Sequence, residues 1–289
     1  MTNSSALKTY TITEFLSLDI PIPKFLLHPW LPEGGLAMVD AKTGLGKTLL
    51  CIGSAIAIST GGMFLRFKAE EAQPVLYLDG EMPAHLMKVR LAQAITFAGN
   101  PNHSKFRTYC WALSESAVPD LSTPEGQAIV DAIVGDAKVI FIDNISAFCR
   151  TGKDNDAESW RVMDDWLLKH RKAGRAIVLV HHDGKNNDQR GTSKKEDKLD
   201  TRIQLVLPAE ADATGNTKFE VHFRKHRHFW GKDASPFFAT LTEQGWTVGE
   251  IASDSFSEAQ TMRNEGKSYR DIEKATGISR STLSRKIGG

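Results

Sequence analysis

Ala41-Lys42-Thr43-Gly44-Leu45-Gly46-Lys47-Thr48 decides how this chain folds, because it reads as a loop shaped to cradle phosphates. Upstream, Gly34-Gly35 makes a turn and Leu36-Ala37-Met38-Val39-Asp40 a short apolar run fit for a buried strand. Downstream, Leu49 to Ile58 lacks proline and is long enough for a buried helix. A strand, a tight glycine loop and a helix N-terminus present successive backbone N–H groups to an anion, aided by the helix dipole. In that frame Thr43, Gly44, Leu45, Gly46, Lys47, Thr48 and Leu49 line a nucleotide's phosphates. Lys47 reaches the β- and γ-phosphates and the Thr48 hydroxyl ligates Mg2+. Ala41 stands where the P-loop pattern usually has its first glycine; alanine is small and needs only ordinary φ there. The competing reading is a glycine turn between two core elements.

At 289 residues, 41% of them apolar, the chain is long enough for one large α/β domain with a small appendage. Its 36 basic and 35 acidic residues nearly cancel, so any contact with nucleic acid must come from local patches. Cys51, Cys110 and Cys149 are scattered, which suits thiols in a reducing cytoplasm better than a disulfide or zinc framework. No basic-then-apolar leader opens the chain and no apolar run approaches a membrane span, so a cytoplasmic protein without membrane partners is expected.

Short apolar runs alternate with longer helical segments, the pattern of a mainly parallel sheet covered on both faces. Strands are expected at Pro74–Asp79, Val139–Ile142, Ala176–Val180, Ile203–Leu207, Lys218–Phe223 and Gly245–Val248. Helices are expected at His85–Ala98 (with Leu86, Val89, Leu91 and Ile95 apolar), Glu125–Val134 and Ser159–Lys172. Open α/β sheets bind ligands at the carboxyl ends of their strands, so three strand ends matter. Asp143 follows four apolar residues and takes the Walker B role of holding Mg2+ directly or through water. Glu81 lies two residues beyond Asp79, where a carboxylate polarises the water that attacks the γ-phosphate. His182 ends Val178-Leu179-Val180-His181 and brings an imidazole near the same phosphate; one of the two histidines is structural.

These ordered motifs, from Leu31 to Val248, resemble the RecA-like hexameric ATPases, and among them the RepA-type plasmid replicative helicases, with DnaB a more distant cousin. Gly80-Glu81-Met82-Pro83 is similar to the family's catalytic-glutamate segment, Val139–Ser146 to its Walker B strand, and Val180–Lys185 to the strand end whose histidine senses the γ-phosphate. Arg190-Gly191-Thr192, followed by Asp200, is similar to the loop that faces the central channel. Here the chain departs from the family, with Lys194-Lys195-Glu196-Asp197-Lys198 where small residues are common. Arg190, Lys194 and Lys195 are thereby candidates for contact with single-stranded DNA. The resemblance also implies that Lys225 and Arg227, in Phe223-Arg224-Lys225-His226-Arg227-His228-Phe229, reach into a neighbouring subunit's nucleotide site. The competing readings are a solvated basic edge or a phosphate-binding strip. The resemblance further implies a homo-oligomeric, hexameric ring with ATP and Mg2+ as cofactors, and an N-terminal arm packed on the adjacent subunit.

Residues 1–30 form that arm, with a short helix at Ile12–Leu16 and prolines at 21, 23 and 29; residues 31–252 form the ATPase domain; residues 253–289 form a tail. In the tail, Ser257–Glu265, Ser268–Thr276 and Ile278–Ile287 read as three helices separated by glycine turns, a small all-α helix-turn-helix. Arg280, Ser281, Thr282, Ser284 and Arg285 face a DNA groove in that reading, and a protein partner in the alternative. The expectation is an α/β, RecA-like P-loop fold acting as an ATP-dependent DNA helicase or DNA-translocating ATPase for a plasmid or mobile element. A nucleotide-gated, sequence-specific DNA-binding regulator or adaptor is the alternative.

Overall fold

A computed structural model describes residues 7–150, 157–182, 197–208, 217–251, 255–276 and 278–287. Six parallel strands lie side by side in the order β10 (Thr201–Val206), β3 (Leu36–Ala41), β9 (Ala176–His182), β8 (Val139–Asp143), β6 (Val75–Asp79) and β7 (Phe106–Cys110). Beyond β10 the sheet continues antiparallel through β11 (Thr217–His226), β12 (Phe237–Thr242) and β13 (Gly245–Glu250). The parallel strands are apolar at successive positions because each face is covered. Ala37, Val39, Val75, Tyr77, Val139, Phe141, Val178 and Val180 enter one core. Leu36, Met38, Leu76, Leu78, Ile140, Ile142, Ile177 and Leu179, the alternate positions, enter the other.

The first core packs around α2 (Lys47–Thr60), which is buried along almost its whole length, as an uninterrupted apolar helix must be. Helix α3 (Ala84–Phe97) lies beside it, presenting Met87, Leu91, Ala94 and Ile95. Leu86 and Val89, expected on that apolar face, are 40% and 61% exposed: the buried stripe runs one position later, through 87, 91 and 94. The second core is covered by α4 (Pro124–Val134), the short α5 (Ile145–Phe148) and α6 (Ala157–Lys172). Thr123 caps α4 through Gly126 N–H. Met163, Trp166 and Leu167 of α6 are core residues, as their helical spacing suggests.

Within the large sheet, two strands escape a reading by apolar runs. β7, Phe-Arg-Thr-Tyr-Cys, is an edge strand with half its surface wet, and β12 alternates as a strand exposed on one face. Among residues assigned to the arm, Leu26, Leu27 and Trp30 are buried in the first core, where β1 (Phe25–Leu27) pairs with β2 (Leu31–Pro32). A second small hairpin, β4 (Met63–Phe64) with β5 (Phe67–Lys68), follows α2. Preceding β1, the helix α1 (Ile12–Leu16) is closed by a Thr11–Glu14 capping box and buries none of its residues. The tail forms α7 (Ser255–Asn264), α8 (Tyr269–Thr276) and α9 (Arg280–Ile287) around Ala259, Ile272 and Leu283. Among the described residues no helix is long and apolar enough to cross a membrane.

Candidate active site

The order of the parallel strands brings the expected groups to one edge of the sheet. The loop 42–46 leaves β3; His182, ending β9, is in register with Ala41; Asp143, ending β8, is in register with Asp79 at the end of β6. Gly46 is the N-cap of α2 at φ 104°, and Gly44 has φ 83°. Both angles favour glycine, and a Cβ on Gly46 would meet Phe219 Cε1 at 2.8 Å, so the loop's shape excludes other residues there. No side chain caps α2 and no acidic residue stands in its first turn, leaving the helix N-terminus to an anion.

Lys47 is buried, and its Nζ donates to the carbonyls of Ala41 (2.8 Å) and Lys42 (3.1 Å), which hold it over the loop. Thr48 donates its hydroxyl to Asp143, and Tyr77 OH donates to Asp143 Oδ2 at 2.7 Å. Burial pushes the Asp143 carboxyl up while these two bonds pull it down; burial likewise pushes the Tyr77 phenol up, keeping it a donor. The cradle a Cβ would fill, the buried lysine and the hard oxygens of Thr48 and Asp143 fit a nucleotide's phosphates with Mg2+. Just ahead of the loop, Arg202 on β10 forms a paired contact with buried Asp40, Nε to Oδ1 at 2.8 Å and the second nitrogen to Oδ2 at 3.0 Å.

Glu81 is the exposed member of the group, with 55% of its side chain open, and its Oε2 lies 3.5 Å from His182 Nε2. Asn144 Oδ1 accepts Ala147 N–H at 3.1 Å as the cap of α5, which leaves Asn144 Nδ2 to donate to His182 Nε2 at 2.8 Å. His181 takes the opposite face, beside Leu179. Asn144, silent in the sequence reading, is identifiable only as a helix cap; its second bond crosses the sheet.

Asp79 holds the turn that carries Glu81: its Oδ1 accepts Met82 N–H at 3.1 Å, and Glu81 N–H also bonds it. Burial, with the nearby Asp143 charge, raises its carboxyl from 3.8 to about 6 against those two bonds. A carboxyl raised by folding binds its proton more tightly in the native chain, so stability is fully favoured below the ordinary value and falls as pH rises from 3.8 to about 6. Asp79→Asn is expected to flatten that limb of the profile while keeping the bond to Met82. Urea unfolding from pH 4 to 7, compared between the two proteins, measures it; parallel profiles would reject the assignment.

Arg227 stands level with the start of β3 and Lys225 level with its middle. Lys225 is in register with Arg202, itself opposite Met38, while Arg227 N–H bonds Asp200 O and Asp200 N–H bonds Leu36 O. Arg227 is thus level with the first residue of β3, five residues or roughly 17 Å from the loop that follows its last. Both side chains donate to Asp197 O, at 3.1 and 2.7 Å, and Arg227 lies 3.6 Å from Asp200 Oδ1. Arg190, Lys194 and Lys195 lie outside the described residues. In the tail, Arg280, Ser281 and Ser284 are exposed and Thr282 is half-buried, while the side chain of Arg285 lies outside the described part. Arg280 Nε pairs with Glu273 Oε2 at 2.9 Å across the turn between α8 and α9.

The chain resembles solved structures in fold and a family model in sequence. The fold is similar to the crystal structure of the KaiC-like protein from the hyperthermophilic archaeon Pyrococcus horikoshii OT3, with TM-score 0.51 and 17% identity over 78% of this chain and 95% of that one. It is also similar to the flagellar accessory protein FlaH from Methanocaldococcus jannaschii, with TM-score 0.51 and 14% identity over 76% and 91%. No curated protein matches the chain. Residues 2–188 match the AAA domain family, a stretch that holds the phosphate loop, Glu81, Asp143 and His182 and stops short of Lys225, Arg227 and the tail. On that match and that fold, the chain belongs to the AAA domain family, and its core is a RecA-like P-loop ATPase domain.

Proposed function

We propose that this chain is an ATP-dependent, homo-oligomeric DNA helicase or DNA-translocating ATPase of the RepA type, serving replication of a plasmid or another mobile element. ATP and Mg2+ are held by the loop 43–49, Lys47, Thr48 and Asp143. Glu81 orients the attacking water and His182 responds to the γ-phosphate. The observation that carries the oligomeric reading is the place of Arg227, roughly 17 Å along the sheet from its own phosphate loop, with Lys225 roughly 10 Å from it. With Arg227 at that distance from its own loop, the pair suits a neighbour's γ-phosphate, where an arginine neutralises the transferring group only when the neighbour is docked. Such a contact is head-to-tail and closes into a ring or grows as a filament; we propose the closed, hexameric ring. The arm supports it: Leu7, Ile12, Leu16 and Ile22 are 97%, 78%, 77% and 91% exposed, apolar surface that an adjacent subunit would cover. Single-stranded DNA would pass the central channel by Arg190, Lys194 and Lys195. The tail, through Arg280, Ser281, Thr282, Ser284 and Arg285, would hold duplex.

One feature favours a second reading, a nucleotide-gated DNA-binding regulator: the tail has its own small core, with Ala259, Ile272 and Leu283 drawn one from each of its helices, as small duplex-reading units do. Displacement of a strand from a tailed duplex separates the two. The helicase displaces it with ATP, and a regulator binds duplex sites without displacement. In the same assay Arg227→Ala is expected to bind ATP and turn over little, and mixing it with Lys47→Ala protein restores part of the activity at interfaces pairing an intact loop with an intact arginine. Normal basal turnover by Arg227→Ala would reject the shared site. A survival of basal turnover with weaker DNA binding and a shallower salt dependence would assign Arg227 to DNA phosphates instead.

A further inference from the structure

Tyr77 interrupts an otherwise aliphatic strand, Val75-Leu76-Tyr77-Leu78, and is completely buried. A phenol so placed needs a partner for its hydroxyl, and a phenylalanine would fill the same space without that need. Its ring is held between two others, stacked on Phe141 at 5.6 Å and on Phe106 at 6.2 Å, with interplanar angles of 16° and 22°. Phe141 lies opposite Tyr77 in the register of β6 and β8, two residues before Asp143 on the same face of the sheet. The hydroxyl therefore arrives at Asp143 Oδ2 from a rigid support, at 2.7 Å.

We infer that Tyr77 is a positioning residue for Mg2+, fixing the Asp143 carboxylate in the orientation from which it serves the metal beside Thr48. The warrant is general. A carboxylate at the end of a strand turns about its last bond, and a donor on one oxygen sets where the other points. Partners that orient ligating carboxylates change metal affinity by roughly 10–100-fold when removed. The phosphates are held by Lys47 at the start of α2 and by the amides of the loop after β3, whereas the Tyr77 hydroxyl acts from β6 through its bond to Asp143. This inference rests on the ATP–Mg2+ reading of the site.

Tyr77→Phe removes the hydroxyl and keeps both ring contacts. Binding of a fluorescent ADP is followed in full-length protein, once in EDTA and once as a Mg2+ titration. The expected result is an unchanged affinity in EDTA and a Mg2+ requirement raised about tenfold. In an Asp143→Ala background Tyr77→Phe should raise it no further. An equal loss with and without Mg2+ would make Tyr77 merely structural, and an unchanged Mg2+ requirement or a second, additive loss would overturn the inference. If Tyr77→Phe fails to fold, fluorotyrosine-labelled wild type gives an independent reading. The chain has four tyrosines, and the Tyr77 fluorine resonance should move when Mg2+ is added to the ADP-bound protein; a stationary resonance would overturn the inference. Absence of any Mg2+ effect on wild-type binding would instead defeat the metal reading itself.

Discussion

Lys47→Ala protein is expected to fold and to lose ATP turnover by at least about 10²-fold, with ATP binding weakened in parallel, because it removes the buried cation that meets the phosphates. The loss is chemical before it is structural. Nζ donates to the backbone carbonyls of Ala41 and Lys42. Stripping those carbonyls of a donor costs on the order of 1–3 kcal/mol, which a core of this size tolerates. Steady-state ATPase rates and nucleotide titrations, read beside thermal unfolding, measure both parts. Near-normal hydrolysis at unchanged nucleotide affinity would sink the assignment of the loop.

Glu81→Gln is expected to keep ATP affinity within a few-fold of wild type while turnover falls by about 10²–10⁴, trapping the ATP-bound assembly. The amide keeps the shape of the side chain and its approach to His182, but it cannot accept the proton of the attacking water. Single-turnover hydrolysis and nucleotide binding on the same samples decide it. Should the variant hydrolyse normally, Asp79 becomes the first candidate for the role, two residues earlier and partly protonated near pH 6. Its present bonds to Met82 and Glu81 N–H argue that it holds the turn instead.

Much of this site was legible in the chain because it is written locally. Glycines at 44 and 46, a lysine and a threonine sit in consecutive order between an apolar strand and an apolar helix, and short-range sterics force the positive φ angles that glycine alone accepts there. Asp143, Glu81 and His182 were readable for a similar reason: each follows an apolar run that ends, and strand ends are where a parallel sheet meets its ligands. The edges of the sheet were less legible. β7 carries an exposed arginine and threonine at consecutive positions, one on each face of the sheet's edge, and β12 alternates, so neither shows the continuous apolar run of a strand buried on both sides. Within α3 the apolar residues do not single out one stripe, and contact with α2 selects Met87 over Leu86.

The phosphate loop, the alternation of strands and helices and the separate helical tail thus follow from residues close together in the chain, where periodicity and turn chemistry act. The partners of the functional groups do not. Tyr77 meets Asp143 across 66 residues and Asn144 meets His182 across 38, and both contacts depend on the lateral order β3-β9-β8-β6, which no local pattern encodes. The same order places Arg227 level with the start of β3, away from its own loop, and Lys225 level with its middle, because β11 runs antiparallel to β10 while β10 runs parallel to β3. Parallel strands are joined by long crossovers, so which strand lies beside which is settled by how both faces of the sheet are buried together, a property of the whole core.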